Sequence, residues 1–511
     1  MRRCSRAMPN KIWIQTYFCH LAFLGFVNIY SLRISLSVAL VAMVNSTDGT
    51  SSANKSTSDE CPDVGNIHNK THKIHSSGEY NWDANLQGII LGSFFYGYIV
   101  TQVPGGRLAE KIGGKILYGL GVLVTAILTL ATPVVVRTMG VGAFITLRIL
   151  MGIGEGVTYP AMHCMLGKWC PKQERSRLTT FIYSGGYCGT VVSLAVSGVL
   201  CNSNFLGGWP SVFYVTGAVS CLWCVFWLLY TSNSPRDHKY ISKAERDYIE
   251  SGVGQRLDLP VPWKAILSSR PVWGICIAFF CYAWGGYILL TCLPTYMHKI
   301  LKVDLSSDGF LSSLPTVLSF FVGSFSGILA DFVRRRYIST KTTRKLFTSF
   351  GMLVSAVIFP FIHFAGCNET IVLVMLVAAG GLSSTILGGF MVNHIDLSCN
   401  FSGTLFGITN MFGTAAGMLG PLVVGLFTNH HSTIGQWQLV FYITAGINVI
   451  GIIAYVTMAE GEEQDWNRPD YLHQRKQNKN IPNGVTANGT TANGIATNGI
   501  TANGTTTYGS L

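Results

Sequence analysis

The chain has 511 residues, 49% hydrophobic and only 12% charged. Soluble domains carry about 25% charged residues, so this composition excludes a water-soluble globule. The formal net charge of +12 would suit a nucleic-acid surface, but the basic residues sit in short loops between apolar runs. They report membrane topology, and no nucleic-acid partner is expected.

Apolar windows long enough to cross a bilayer, at about 20 residues each, recur about twelve times. They fall near residues 15–44, 86–108, 116–136, 141–166, 178–201, 209–230, 272–297, 310–331, 346–365, 370–393, 403–428 and 437–459. The expected fold class is therefore an all-α polytopic membrane protein. Its twelve transmembrane helices divide into a half over about 15–230 and a half over about 272–459, joined by a charged segment over about 231–271. Residues 1–14 form a cytosolic N-terminus and 46–84 a glycosylated lumenal or extracellular loop. A disordered cytosolic tail covers about 460–511. Arg2, Arg3 and Arg6 precede the first run, which is too long for a signal-peptide core and lacks a cleavage pattern after it; it reads as a retained helix.

Lys and Arg crowd the N-terminus, the 2–3 loop (Arg107, Lys111, Lys115) and the 4–5 loop (Lys168, Lys172, Arg175, Arg177). They recur in the segment between the halves and in the 8–9 loop (Arg334, Arg335, Arg336, Lys341, Arg344, Lys345). The alternate loops are nearly bare, which places both termini in the cytosol. Glycosylation sequons at Asn45, Asn54, Asn69 and Asn368 fall on the other side, whereas Asn400 and Asn488 lie on the cytosolic side and are expected to be silent. Most of the 14 cysteines lie within spans; Cys61, Cys201 and Cys367 face the oxidising side and allow one disulfide.

The two halves carry related sequences. GGRLAEKIGGK follows span 2 and GILADFVRRR follows span 8. Each has a glycine, an acid four residues on and a basic cluster: Gly106, Glu110, Lys111 and Lys115 in the first, Gly327, Asp331 and Arg334 in the second. Parallel repeats of this kind build one large class of transporters, with the binding site between the halves near the midplane. The acid is expected to cap the next helix and pair with the loop bases, latching the cytosolic face. In the segment between the halves, SKAERDYIES reads as a short amphipathic helix opened by Ser242.

A charge at the centre of a span costs roughly 2.5–3.5 kcal/mol on insertion scales and is a functional candidate by default; three stand out. They are Arg33 in span 1 and Arg148 and Glu155 in span 4. Seven residues separate the latter two, close to two helical turns, so they share one face, and Gly152 between them leaves room beside it. That face suits an anion held by arginine beside a protonatable carboxylate; the alternative is that these charges pair with other spans to lock the bundle. Arg33 has no acid in its own span. Most glycines of spans 2 and 4 read as close packing points, and Gly185 and Gly186 of span 5 as a site where a helix bends. His163 and His394 read as hydrogen-bonding residues near the cytosolic edge.

From about residue 467 the chain repeats a Thr/Ala/Asn/Gly unit with no apolar face, which predicts disorder. It ends at Tyr508-Gly-Ser-Leu511, similar to the tyrosine-based signals that cytosolic sorting adaptors read. No nucleophile, metal or carboxylate constellation sits at one depth, so an enzyme is not expected, and a receptor has no use for doubled spans with repeated loop motifs.

RISLSVALVAMVN, LGSFFYGYIVTQVPGGRLAEKIGGK, RILMGIGEGVTYPAMHCMLGKWCPKQERSRL, LPTYMHKIL, GGFMVNHIDLS and GEEQDWN together resemble the sialin, vesicular glutamate and type I phosphate transporter family of the major facilitator superfamily. The resemblance runs over most of residues 10–466. It implies a carrier of small organic or inorganic anions working by alternating access, with no cofactor beyond a co-transported Na⁺ or H⁺. It also implies a plasma, lysosomal or vesicular membrane. Arg33 and Arg148 match the family's anion-associated arginines and Glu155 its proton-coupling glutamate. Sialin has a second span 4 glutamate where this chain has Met151. Vesicular glutamate transporters have a span 2 histidine where it has Leu91 and a span 7 arginine where it has Tyr282. These departures argue against copying either relative's ion and substrate; Tyr282 and Tyr287 of span 7 remain as substrate hydrogen-bond donors.

Overall fold

The computed structural model describes residues 13–45, 78–253, 259–300, 305–428, 433–468 and 471. Asn54, Asn69, Tyr508 and Leu511 lie outside the described residues, as do Cys61 and Asn488.

The first half comprises α1 (Trp13–Met43), α2 (Ala84–Ile112), α3 (Gly114–Gly156), α4 (Thr158–Trp169), α5 (Arg175–Cys201) and α6 (Trp209–Tyr230). Two short helices follow between the halves, α7 (Lys243–Val253) and α8 (Trp263–Leu267). The second half comprises α9 (Arg270–Lys299), α10 (Leu305–Arg336), α11 (Thr340–Phe361), α12 (Glu369–Ser383), α13 (Phe390–Leu397), α14 (Ser402–Thr428) and α15 (Ile434–Met458). Helices satisfy their own backbone groups, which is what permits them in hydrocarbon. Among the described residues the only β pairing is an isolated bridge between Val44 and Tyr80.

Among the described residues eleven helical stretches are long and apolar enough to cross a membrane, and one of them, Gly114–Trp169, has 56 residues. At 1.5 Å per residue that is about 84 Å, more than twice the ~30 Å of hydrocarbon. The stretch folds back on itself. Thr125 Oγ1 donates to Met151 O at 3.3 Å, and Gly121 and Gly114 lie against the backbones of Gly154 and Ala161. The reversal is at Gly140, with φ 78°, a backbone region that side-chain-bearing residues rarely occupy. The eleven stretches therefore make the twelve expected crossings. Span 10 is also broken, with a 3₁₀ turn over Ser384–Gly388 between α12 and α13.

Small residues draw helices together. A Cβ on Gly97 would stand 2.0 Å from Ile149 O, and one on Gly152 2.0 Å from Phe94 O. The α2–α3 crossing is thus backbone against backbone, as in other membrane bundles. Gly152 does not leave the open space that its place between Arg148 and Glu155 suggested; Phe94 of α2 fills it. Across the halves, α2 and α4 pack on α14, and α5 on α10.

The segment between the halves is built onto the first of them. Ser242 Oγ accepts from Glu245 N at 3.2 Å, opening α7 as expected. Glu245, itself buried, accepts from Gln15 N at 2.8 Å and so caps α1. The stretch from 460 to 468, expected to be disordered, is ordered. Residues 460–468 dock on the bundle: Gln464 N donates to Leu397 O at 3.0 Å, Lys341 pairs with Glu460 at 2.7 Å, and Trp466 is buried. GEEQDWN is polar in composition, but its one tryptophan gives it an apolar anchor.

Candidate functional site

The central site forms where α1, α2 and the second arm of α3 meet. Arg33 Nε donates to Glu155 Oε1 at 2.9 Å, and Arg33 Nη2 bonds the same oxygen. The acid that span 1 lacks is supplied by span 4, so the two spans are tied by their charges. Glu155 Oε2 has no hydrogen-bond partner among the described residues. The Arg33 guanidinium carbon lies 4.8 Å from the Tyr98 ring centre, 4.9 Å from Phe94 and 5.3 Å from Tyr30, a cage whose ring faces attract a cation.

Arg148 differs. It is 3% exposed and has no ion pair among the described residues. Its guanidinium carbon stands 5.1 Å from the Phe94 ring centre, and Nη1 comes within 3.9 Å of the Met151 sulfur. Its Nε has no hydrogen-bond partner there. A buried guanidinium without a counter-charge is costly, and its planar fork suits carboxylate or phosphate. The arrangement can take an anion.

The predicted residues divide. Arg33, Arg148 and Glu155 come together, and Tyr287 joins them. Its ring meets Phe95 edge-on at 5.9 Å, it packs on Gly417, and it interacts electrostatically with Arg33. Tyr282 stands apart, its hydroxyl 3.3 Å from that of Tyr187 and its ring against Phe390. Sequence reasoning did not find Tyr30, Phe94, Tyr98 or Asn410. Asn410 Nδ2 donates to the Tyr98 hydroxyl at 3.3 Å, which brings α14 of the second half to the site. The detectable signal was spacing: Tyr30 is three residues before Arg33, and Phe94 and Tyr98 are four apart.

At the end of the bundle that carries the basic loops, here the basic face, the two motif acids form matching latches. Glu110 Oε1 accepts from Thr404 N and Oε2 from Thr404 Oγ1, both at 2.8 Å. Asp331 accepts from Arg177 N at 2.8 Å and Ser176 N at 3.3 Å. Each acid therefore caps a helix of the opposite half, α14 or α5, and not the next helix in sequence as expected. The helix N-termini offer unsatisfied N–H groups and positive charge, and that is where the carboxylates dock. Their glycines fit the same places. A Cβ on Gly106 would meet Gly403 O at 2.3 Å, and one on Gly327 would meet Ser176 O at 2.7 Å.

Arg107 pairs with Glu110 and Arg334 with Asp331, both at 3.4 Å. Lys111 is exposed, and Lys115 contributes its backbone, with N donating to Asn233 Oδ1 at 2.9 Å. Around the second latch Asp396 bridges Arg175 at 2.9 Å and Arg344 at 2.7 Å. His163 of the first half and His394 of the second each donate to Met391 O, at 3.0 and 3.2 Å. In this conformation the basic face is closed.

At the opposite end Asn45 Nδ2 donates to Asn81 Oδ1 at 2.7 Å. Asn368 Oδ1 accepts from Ile371 N at 3.1 Å, capping α12. Cys367 is disulfide-bonded, whereas Cys201 carries a free thiol.

The Major Facilitator Superfamily model matches residues 21–421. Human sialin is 44% identical over 461 residues, which are 89% of this chain and 91% of sialin. Vesicular glutamate transporter 1 of Bos taurus is 37% identical over 461 residues, 89% of this chain and 78% of that protein. Among solved structures, the proton:xylose symporter XylE superposes with a TM-score of 0.63 at 13% identity, covering 88% of this chain and 97% of XylE, a likeness of fold alone. With a twelve-crossing fold in two latched halves and relatives similar along most of their length, this chain belongs to the major facilitator superfamily, in the family of sialin and the vesicular glutamate transporters, and is a multi-pass membrane transporter, not an enzyme.

Proposed function

We propose that the chain is a secondary active transporter that moves a small anion, inorganic phosphate or an organic acid, by alternating access coupled to H⁺ or Na⁺. The observation that carries this reading is Arg148, buried with no ion pair of its own among the described residues, beside an Arg33–Glu155 pair. An anion entering the site supplies the missing counter-charge. A proton on Glu155 weakens its hold on Arg33 and frees a second guanidinium for a doubly charged anion; loss of that proton on the other side of the membrane restores the pair and expels that dianion. With the Glu110 and Asp331 latches formed, the route from the site to the basic face is shut, and the positive-inside pattern assigns that face to the cytosol together with both termini.

The test uses purified protein in liposomes with labelled phosphate, sialate, glutamate and urate, under an imposed pH gradient, a Na⁺ gradient, both or neither. We expect accumulation of at least one anion that follows the pH gradient. Accumulation that follows only Na⁺ would reassign the coupling ion, and uptake indifferent to both would sink symport. The 44% identity to sialin favours a second reading within the same class, H⁺-coupled export of acidic sugars or acidic amino acids from lysosomes. It requires sialate or glutamate, and not phosphate, to be the accumulated species. A lysosomal or vesicular address, as against the plasma membrane, is read by microscopy of the tagged chain with and without Tyr508→Ala.

A further inference from the structure

We infer that the protonation state of Glu155 sets the valence of the anion that this site accepts: monoanions while Glu155 is ionised, dianions once it is neutral. The inference rests on the anion-carrier reading above and adds to it a substrate class and a charge count.

The central site holds two guanidinium groups, Arg33 and Arg148, and one carboxylate, Glu155. Glu155 is spent on Arg33, so among the described residues Arg148 is the single uncompensated charge of the site, and one negative charge makes it neutral. A proton on Glu155 raises the unmet charge to two. In a low-dielectric interior an unmet unit charge is far more costly than in water, so the favoured occupant of the protonated site carries two negative charges. The two guanidinium groups are near enough for one such occupant to meet both. The two guanidinium carbons lie 4.9 and 5.1 Å from the centre of the same Phe94 ring, so they are at most about 10 Å apart. A bidentate guanidinium grips a carboxylate with their carbons about 4 Å apart, which leaves only a few ångströms between two anionic groups.

Met151 is the specificity-determining position. It lies four residues before Glu155 on the same helix, is 2% exposed, and meets Arg148 with a neutral thioether where an acid would supply a second counter-charge. The other groups that interact with the Glu155 carboxylate are Tyr98 of α2, Tyr118 of α3 and Tyr287 of α9. All are phenols, so they do not alter the count.

The consequence is a fixed charge per cycle. A monoanion crosses alone, and a dianion crosses with one proton, so each cycle carries one negative charge whichever substrate is used. The test reconstitutes the full chain in liposomes with lactate and sialate as monoanions and succinate and sulfate as dianions. Anion flux, membrane current and internal pH are read together. The expected result for the unmodified protein is one charge per anion throughout, with one proton per dianion and none per monoanion.

In binding measured by thermal shift, Glu155→Gln should raise the ratio of dianion to monoanion affinity by about tenfold or more, and Met151→Glu should lower it. A proton moving with monoanions and dianions alike, or a ratio unchanged in variants that melt like the unmodified protein, would overturn the inference and leave the carrier reading standing. Absence of binding by all four anions to the unmodified protein, or binding that survives Arg148→Gln, would overturn the carrier reading and the inference with it. The proton count needs no variant, so a misfolded Met151→Glu does not weaken the test.

Discussion

The basic face and the central site are built on opposite plans. The latches are duplicated: Glu110 of the first half caps α14 of the second, and Asp331 of the second caps α5 of the first. The central charges are not duplicated. Arg33, Arg148 and Glu155 all belong to the first half, and among the described residues the second contributes neutral groups, Tyr287 and Asn410. A gate needs two faces that grip each other equally. A site that couples two ligands needs its charges close enough to compete for one another, and one half can supply them all.

The widest contrast comes from removing a central charge. Arg148→Gln or Arg33→Gln should abolish uptake in liposomes, while the protein keeps its elution profile and a melting temperature near that of the unmodified chain. Retained transport would remove that residue from the site. Next is Glu155→Gln, which takes away the titratable group but keeps the shape. We expect gradient-driven accumulation to vanish while exchange of anion for anion persists, because exchange needs no proton release. Full accumulation by this variant would end the coupling role.

The latches should fail by smaller steps. Each carboxylate accepts charge-assisted bonds worth roughly 1.5–3 kcal/mol. Glu110→Gln and Asp331→Asn should each shift the equilibrium by about that much towards a parted basic face. The double variant should shift it by roughly the sum, since the two latches share no partner. Distances between spin labels on α2 and α14, and on α5 and α10, report the shift; an effect from one variant only would break the symmetry argued here. The smallest difference expected is between two tyrosines of one helix. Tyr287→Phe should lower apparent substrate affinity by about fivefold, the worth of a net hydrogen bond of ~1 kcal/mol. Tyr282→Phe, whose hydroxyl meets Tyr187, should leave affinity nearly unchanged.

What could be read from the sequence, and what could not, follows the same division. Spans, the repeated motif and the three buried charges are written in local order: runs of apolar residues, a glycine four before an acid, and an arginine where lipid is expected. Gly140 needed geometry, although the two windows around it already implied the reversal. Partnerships were harder. That Glu155 serves Arg33, 122 positions away, and that Glu110 reaches Thr404, 294 positions away, is fixed by helices crossing, and no spacing rule within one span contains it. Gly152 was misread for the same reason: its open side exists only until α2 is laid against it. The aromatic cage had a faint local trace in Tyr30–Arg33 and Phe94–Tyr98, but ordinary core packing leaves the same trace.

Glu245 caps α1, and Lys172 N donates to Gly252 O at 3.0 Å, so α7 is part of the first half and not a tether between halves. The transporter is therefore expected to assemble from two separately translated polypeptides when the chain is divided after Val253. Fragments ending there keep the cap and are expected to assemble with the remainder into a working carrier. Fragments ending at Tyr230 leave α1 uncapped and the loop after α4 unsupported, and should be degraded before they find their partner.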